Sequence, residues 1–278
     1  QSEVHIFSGT GCVRDAFTFM AGTVPPPSSS KQRNKIVVYT HNLRYDLAMI
    51  QHYVRVNKAC KKGTTRYSVD MFFDSHTQFT MIDSLRLLPF SLASFPKTLG
   101  LPAFFSKKEF IAYRFYSHVN LDSADTDPTT VTEFAETIDP LKRDSFILGL
   151  RQSLMEAENN EFSYDAEADT FNHAAYYKHY LRWDVWLLAA GIIRLQELVD
   201  DLATRFGIEP KGIPKLPFLL TITSVGKRLF ESAGVYQNAL GESVLGLAGK
   251  LREYIHETVV GGRVMVNPMS PRRIQEEA

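Results

Sequence analysis

The stretch VVYTHNLRYDLAMI, residues 37–50, places a polar step between a β-branched apolar run and the start of a helix. Side chains at such a strand end leave the sheet edge and converge on a crevice, where α/β proteins hold ligands. The polar residues of interest are Asn42, Tyr45 and Asp46. An acid in the first helical turn also interacts well with the helix dipole, so capping explains Asp46 equally well.

A second candidate lies in the stretch YYKHYLRWDVW. Tyr180 and Asp184 are four residues apart, which places them on one face of a helix, one turn from each other. They flank an apolar stripe, where a partly desolvated carboxylate needs a cation or hydrogen-bond donors. Chance produces this spacing easily, whereas the Asn-x-x-aromatic-Asp pattern that ends at Asp46 is scarcer.

A third feature is MIDSLRLLP, in which Ser84 and Leu85 follow a predicted strand. Local sequence favours a structural role, with Ser84 as the N-cap of the next turn. A ligand-binding role for this pair is the alternative.

The elements that position these residues are predicted from periodicity. Val37 to Tyr39 are predicted as a strand, and a helix is predicted from Asp46 onward. RYSVDMFF and QFTMIDSLRLL alternate like the two strands of a hairpin. The clearest helix runs from about Asn172 to Phe206, with apolar residues at steps of three and four. Strands come early with helices interleaved, which predicts an α/β fold with a mixed sheet.

The remaining segments are predicted as follows. EVHIFSG is expected to be a short strand, and VRDAFTFMAG one or two helical turns. The basic stretch KACKKGTTR, residues 58–66, is expected to be a solvated loop. An irregular insertion is expected after Gly100, and helices after residue 206.

Composition excludes several classes of protein. The 278 residues include 31 basic and 31 acidic side chains, so net charge gives no long-range attraction to polyanions. The two cysteines, Cys12 and Cys60, match no zinc spacing and are too few for a disulfide framework. No apolar run is long enough to span a bilayer, so no membrane partner is expected.

Taken in order, HNLRYD, DSLRLLP and YLRWD resemble the proofreading exonuclease domain of family B DNA polymerases, closest to the protein-primed branch of viruses and organellar linear plasmids. In that family they look like the second exonuclease motif, the Ser-Leu motif that grips primer ends, and the third exonuclease motif. TITSVGKRLF resembles the helical stretch before the polymerase domain, and YIHETVVGGRVMV resembles the Gly-Gly linker motif.

The resemblance implies a ribonuclease-H-like fold and two-metal hydrolysis of the terminal phosphodiester. Asp46 and Asp184 would be ligands for two Mg²⁺ or Mn²⁺ ions, and Tyr180 would orient the attacking water. Asn42 and Tyr45 would hold the frayed 3′ end of single-stranded DNA, with Ser84 and Leu85 on the next nucleotide. These groups are expected to meet in one crevice.

The same resemblance predicts the organisation of the chain and its partners. Residues 1–206 would be the exonuclease domain without its first strand and first motif, and residues 207–278 a helical connector leading to a polymerase domain. Gly261 and Gly262 would contact template, although an ordinary turn between strands explains them equally well. A terminal priming protein is a possible partner besides DNA. A viral, organellar (mitochondrial) or plasmid-borne origin is implied.

The sequence also departs from the family pattern. The first exonuclease motif, Asp-x-Glu, is not visible, because Gln1 stands where the Asp would be needed before Glu3. We expect that motif upstream of this chain, which would then be a poor nuclease alone. The polymerase signatures are also absent. The alternative is a non-catalytic module that binds single-stranded nucleic acid and derives from such a domain.

Overall fold

The structure is a computed structural model, and it describes residues 4–7, 9, 11–25, 33–62, 65–106, 110–117, 128–213, 215–233, 259–260 and 263–264. The α-helices of the described residues are α1 (Cys12–Gly22), α2 (Leu43–Ile50), α3 (Phe95–Leu99), α4 (Val131–Ala135), α5 (Pro140–Met155), α6 (His173–Arg205) and α7 (Ile222–Ser232). Helix α6 confirms the long helix predicted from the apolar periodicity.

The strands of the described residues are β1 (Asn34–Thr40), β2 (Arg55–Lys62), β3 (Thr65–Phe72), β4 (Thr77–Asp83), β5 (Thr129–Thr130), β6 (Thr170–Phe171), β7 (Val259–Val260) and β8 (Arg263–Val264). The main sheet has the order β1-β4-β3-β2, with β1 parallel to β4 and the other neighbours antiparallel. The predicted α/β class with a mixed sheet is confirmed.

The hairpin of β3 and β4 is confirmed, and its turn is fixed by Asp74. The Asp74 carboxylate accepts hydrogen bonds from the backbone N–H groups of His76 and Thr77, both at 2.6 Å. Apolar residues of the two strands alternate with polar ones and pack under α1 and α2. The resulting core consists of Phe17, Leu43, Leu47, Val69, Met71, Phe79 and Met81.

A second core lies between α4, α5 and the first turns of α6. Its buried members are mostly aromatic and aliphatic: Ala112, Val131, Phe134, Leu150, Leu154, Phe162, Phe171 and Tyr176. The Tyr176 hydroxyl accepts a hydrogen bond of 3.0 Å from the backbone N–H of Phe110. This core holds the N-terminal half of α6 in place.

The chain segment after β4 packs against α6. A Cβ atom added to Gly191 would lie 2.3 Å from the Phe95 ring, so only glycine allows this close approach. The Arg194 side chain donates a hydrogen bond of 3.2 Å to the Leu99 carbonyl at the end of α3. These contacts connect the segment that follows MIDSLRLLP with the helix that carries YLRWD.

The chain divides into two compact units, residues 1–195 and 196–278. In the second unit, α7 begins with a capping box of Thr221 and Ser224 and buries Val225 and Leu229. Also within this unit, the Gln196 side chain accepts a hydrogen bond of 3.1 Å from the Leu216 backbone N–H. No helix among the described residues is long and apolar enough to cross a membrane.

Several predictions from local sequence are wrong. The described residues 4–7 of EVHIFSG form no strand. The stretch 58–66 is not a loop, because its described residues belong to strands β2 and β3, which pair with each other. Lysines alternate with small residues in this stretch, so an interpretation based on charge alone predicts a loop instead of a hairpin.

Two boundaries near the motifs also differ from the prediction. Helix α2 begins at Leu43, three residues before Asp46. Asp83, rather than Ser84, is the N-cap of the turn after β4, since its side chain accepts a hydrogen bond from the Leu85 N–H.

Candidate functional site

Two parallel strands deliver HNLRYD and DSLRLLP to the same edge of the sheet. In the register of β1 and β4, Thr40 is the partner of Asp83. The residues that follow each strand therefore leave the sheet side by side. This placement explains why a polar step follows an apolar strand, as the sequence predicted.

Asp83 fixes the geometry where the two segments meet. Its side chain is 2 % exposed, and Oδ1 accepts hydrogen bonds from the backbone N–H groups of Asn42 at 3.1 Å and Leu85 at 3.2 Å. Oδ2 lies 3.4 Å from Nε of Arg86. Asn42 has a left-handed backbone with φ of 81°, which asparagine tolerates better than other side chains do. Sequence analysis missed Asp83, although the aspartate stands inside the quoted motif.

Ser84 is fully buried, and its hydroxyl is used inside the protein. Ser84 Oγ donates a hydrogen bond of 2.8 Å to the Thr40 carbonyl and lies 3.0 Å from Nδ1 of His41. Burial lowers the pKa of His41, and the nearby Asp83 carboxylate opposes that shift. Leu85, the next residue, is partly exposed.

Asn42 and Tyr45 are exposed, and the Tyr45 side chain keeps 68 % of its surface in solvent. Asp46 lies beside them in the first turn of α2 and is partly buried. Burial raises the pKa of Asp46. The neighbouring Thr40 hydroxyl opposes the rise, and the Asp83 charge adds to it. The structure therefore brings two acidic groups, Asp46 and Asp83, close to one strand end.

Tyr180 and Asp184 face the same side of α6, as predicted. The Tyr180 hydroxyl is hydrogen-bonded to the Tyr113 hydroxyl, and the two rings meet edge to face at 5.9 Å. Burial raises the pKa of Tyr180, and hydrogen bonds with Tyr113 and Asp184 add to the rise. Tyr113 was not identified from the sequence, because it lies in the irregular segment after Gly100.

Tyr177 lies on the same helix as Tyr180 and Asp184, and its ring packs against that of Tyr116 at 4.3 Å. Burial raises its pKa, and the electrostatic effects of Tyr45, Tyr113 and Asp184 add to that rise. Tyr45 of α2 and Asp184 of α6 therefore both lie in the neighbourhood of one phenol. In the sequence, Tyr177 is only one of the residues at the steps of three and four that predict the long helix. The meeting of Asp46 with Asp184 themselves stays a prediction.

Carboxylate oxygens are the ligands that Mg²⁺ and Mn²⁺ prefer, so Asp46 and Asp184 fit such ions chemically. Among the described residues, no group of three or more His, Cys, Asp or Glu side chains could hold a metal ion. Gly261 and Gly262 lie outside the described residues, between the paired strands β7 and β8.

Comparison with known proteins identifies a family. A family model described as DNA polymerase type B, organellar and viral, matches residues 28–278. The match covers most of the chain and all three motif segments. No curated protein and no solved structure matches.

Proposed function

The chain belongs to the organellar and viral type B DNA polymerases, and we propose from this premise that it carries the 3′–5′ proofreading exonuclease part of such an enzyme. The family itself indicates a DNA polymerase, a nucleotidyltransferase that acts on DNA in replication. Membership of the family confirms the resemblance found in the motifs. The finer assignment to a ribonuclease-H-like exonuclease is our proposal.

The observation that carries the proposal is that HNLRYD and DSLRLLP leave the sheet next to each other at the same edge. Asn42, which follows β1, and Leu85, which follows β4, both donate backbone hydrogen bonds to Asp83. Tyr45, exposed on α2, acts electrostatically on Tyr177 of α6, the helix that also carries Asp184. Two segments distant in sequence therefore leave the sheet together, and the electrostatic effect of Tyr45 on Tyr177 supports a position of α6 beside them.

We assign the grip on the single-stranded 3′ end to Asn42, Tyr45 and Leu85. The exposed Tyr45 ring offers a stacking surface that tolerates every base, which proofreading requires. The Asn42 amide is exposed beside it and supplies hydrogen bonds. Ser84 contributes by holding the strand end, since its buried hydroxyl donates a hydrogen bond to the Thr40 carbonyl.

Asp46 and Asp184 would hold divalent metal ions, which supply the charge stabilisation for phosphodiester hydrolysis when bound. In the same proposal, Tyr180 orients the attacking water, and Tyr113 holds the phenol of Tyr180 in place. By the resemblance, an Asp-x-Glu pair would supply the further carboxylates of such a site.

The wider assignments rest on the family alone. DNA is the partner that a DNA polymerase implies, and a terminal priming protein is a further candidate. We propose that Gly261 and Gly262 contact template in a linker toward a polymerase domain. We also propose that the chain alone has little nuclease activity, since it contains only part of the expected ligands.

The experiment measures binding of a labelled oligothymidylate by fluorescence anisotropy in Ca²⁺. We expect Tyr45→Ala to weaken binding by about fivefold or more, since stacking of one base contributes about 1–3 kcal/mol. The matched control is Tyr53→Ala, an exposed tyrosine just beyond the same helix, which should change binding less than twofold.

A second arm separates a grip on strand ends from general binding. Linear oligonucleotides should bind more tightly than a circular one of equal length, because the proposed site holds a 3′ terminus. Equal losses for Tyr45→Ala and Tyr53→Ala, or equal affinity for linear and circular DNA, would contradict the proposal. A subsequent degradation assay in Mg²⁺ separates a nuclease from a module that only binds.

A further inference from the structure

Arg86 lies at the sheet edge where HNLRYD and DSLRLLP meet, and none of the roles proposed above uses it. It ends the 3-10 turn Ser84–Arg86 that follows β4. Its side chain is 37 % exposed, and its Nε atom forms an ion pair of 3.4 Å with Oδ2 of Asp83. This Nε is buried and has no hydrogen-bond partner within the described part of the chain. Buried donors are normally satisfied, so the exception calls for a reason.

The Asp83 carboxylate places this guanidinium next to the proposed DNA-binding residues. Asp83 Oδ1 accepts hydrogen bonds from the backbone N–H groups of Asn42 and Leu85, while Oδ2 forms the ion pair with Arg86. Asn42 and Leu85 are two of the residues to which we assigned the grip on the single strand. One carboxylate therefore holds the guanidinium beside that grip, so Arg86 belongs to the same site.

The charges at this sheet edge require a cation if a nucleic-acid strand is to bind. The two motif segments carry two acids, Asp46 and Asp83, which repel phosphates. They also carry two arginines, Arg44 and Arg86. Arg44 is exposed on α2, whereas Arg86 is partly buried and held by Asp83. A guanidinium that is already held loses less conformational freedom on binding, so Arg86 is the better suited of the two.

We propose that the Arg86 guanidinium binds a backbone phosphate of the single strand, on the 5′ side of the penultimate nucleotide. The proposal rests on the proposed exonuclease site. Leu85, the preceding residue, is assigned to that nucleotide, and the metal ions of Asp46 and Asp184 would hold the terminal phosphodiester. A guanidinium is always charged and binds phosphate with two parallel hydrogen bonds. Arg86 therefore adds affinity and register to the grip without any preference for a base.

The salt dependence of oligothymidylate binding tests the role of the Arg86 charge. Each phosphate contact to a single strand contributes about 0.7 to the slope of log affinity against log salt concentration. With Ca²⁺ held constant, Arg86→Gln should reduce the size of this slope by about 0.7 and weaken binding about tenfold at low salt. Arg14→Gln, at an exposed position of α1, is the matched control and should change the slope by less than about 0.2.

A change in the DNA locates the contacted phosphate without altering the protein. A methylphosphonate linkage replaces one phosphate charge with a neutral group. On the wild-type chain, a neutral linkage on the 5′ side of the penultimate nucleotide should weaken binding about tenfold, as Arg86→Gln does. The same change near the 5′ end should weaken it less than about twofold. On Arg86→Gln, the neutral linkage should cost less than about twofold more, because the contact is already lost.

A conservative variant separates the charge of Arg86 from its geometry. Arg86→Lys keeps the charge but not the planar fork, so the salt slope should stay as in the wild type while affinity falls about threefold. Circular dichroism of each variant checks that the fold is retained, since Arg86 also pairs with Asp83. The methylphosphonate comparison on the wild-type chain needs no variant at all, so it tests the contact even if a substitution disturbs the fold.

The outcomes distinguish this inference from the proposed function. An unchanged salt slope in Arg86→Gln, or an equal loss from the neutral linkage in the wild type and in Arg86→Gln, would overturn the phosphate contact. The proposed function would still stand in that case if Tyr45→Ala weakened binding as expected. A neutral linkage that leaves wild-type affinity unchanged would likewise overturn the contact alone. If the wild-type chain bound no oligothymidylate, both the contact and the proposed function would be wrong.

Discussion

The candidate site has a strand-end half, which consists of residues 40–46 and 83–86. In this half Asp83 is 2 % exposed, and its carboxylate accepts hydrogen bonds from backbone N–H groups. The helix half consists of Tyr113, Tyr177, Tyr180 and Asp184. Its contacts are between side chains, and Tyr113 is 63 % exposed. Backbone contacts fix the path of the chain, whereas side-chain contacts fix only rotamers. The strand-end half should therefore govern stability, and the helix half should govern fine positioning.

The largest effect is expected for Asp83→Ala. This change leaves two partly buried backbone N–H groups without an acceptor and should lower the free energy of unfolding by about 2–4 kcal/mol. Urea unfolding followed by circular dichroism measures it. Asp144→Ala, at an exposed position of α5, is the control and should cost less than about 0.5 kcal/mol. Similar losses of unfolding free energy in the two variants would contradict the claim that the strand-end half governs stability.

Ser84→Ala should have an intermediate effect. Loss of the buried hydroxyl leaves the Thr40 carbonyl without that donor and should cost about 1–2 kcal/mol in the same measurement. Ser145→Ala removes an exposed hydroxyl that also bonds a backbone carbonyl, and it should cost much less. An equal loss of unfolding free energy in Ser145→Ala and Ser84→Ala would contradict this expectation.

In the helix half, Tyr113→Phe should change positioning more than stability. The pKa of Tyr180 should fall toward its ordinary value, because one of the hydrogen bonds that raise it is lost. The stability cost should stay near 0.5–1 kcal/mol, about that of one exposed hydrogen bond. NMR titration of ring-labelled tyrosine measures the pKa, with Tyr53→Phe as the control. An unchanged Tyr180 titration would show that Tyr113 does not hold this phenol.

Asp46→Asn should have the smallest effect on stability, below about 1 kcal/mol, and its sign depends on pH. The pKa of Asp46 is raised above 3.8 by burial, so the folded state binds its proton more tightly than the unfolded state does. The wild type should therefore lose stability relative to Asp46→Asn as pH rises from about 4 to 7. Thermal unfolding at several pH values measures the difference, and a difference of opposite sign would contradict the assigned burial.

Much of the strand-end half could be predicted from the sequence. The β1 strand, the hairpin of β3 and β4, and the polar step at Asn42 and Asp46 follow from local periodicity and turn chemistry. The parallel pairing of Thr40 with Asp83 is a long-range contact, which no local pattern specifies. For that reason the structural role of Asp83 was missed while its neighbour Ser84 was singled out.

Less of the helix half could be predicted. The period of α6 places Tyr180 and Asp184 on one face, but the partner of Tyr180 lies 67 residues earlier in an irregular segment. Tyr113 has no periodic signal there, so only the folded chain identifies it. Charge patterning likewise misjudged the stretch 58–66, because exposed edge strands of a sheet carry lysines as loops do.

The central claim is that Asp46 and Asp184 share bound metal ions, and Mn²⁺ binding measured by electron paramagnetic resonance tests it most directly. We expect Asp46→Asn and Asp184→Asn each to weaken binding about tenfold, and the double variant to be no weaker than either single one, since removing one ligand already disrupts a shared site. Asp144→Asn serves as the control. Additive losses in the double variant, or binding unchanged by either substitution, would contradict a shared site.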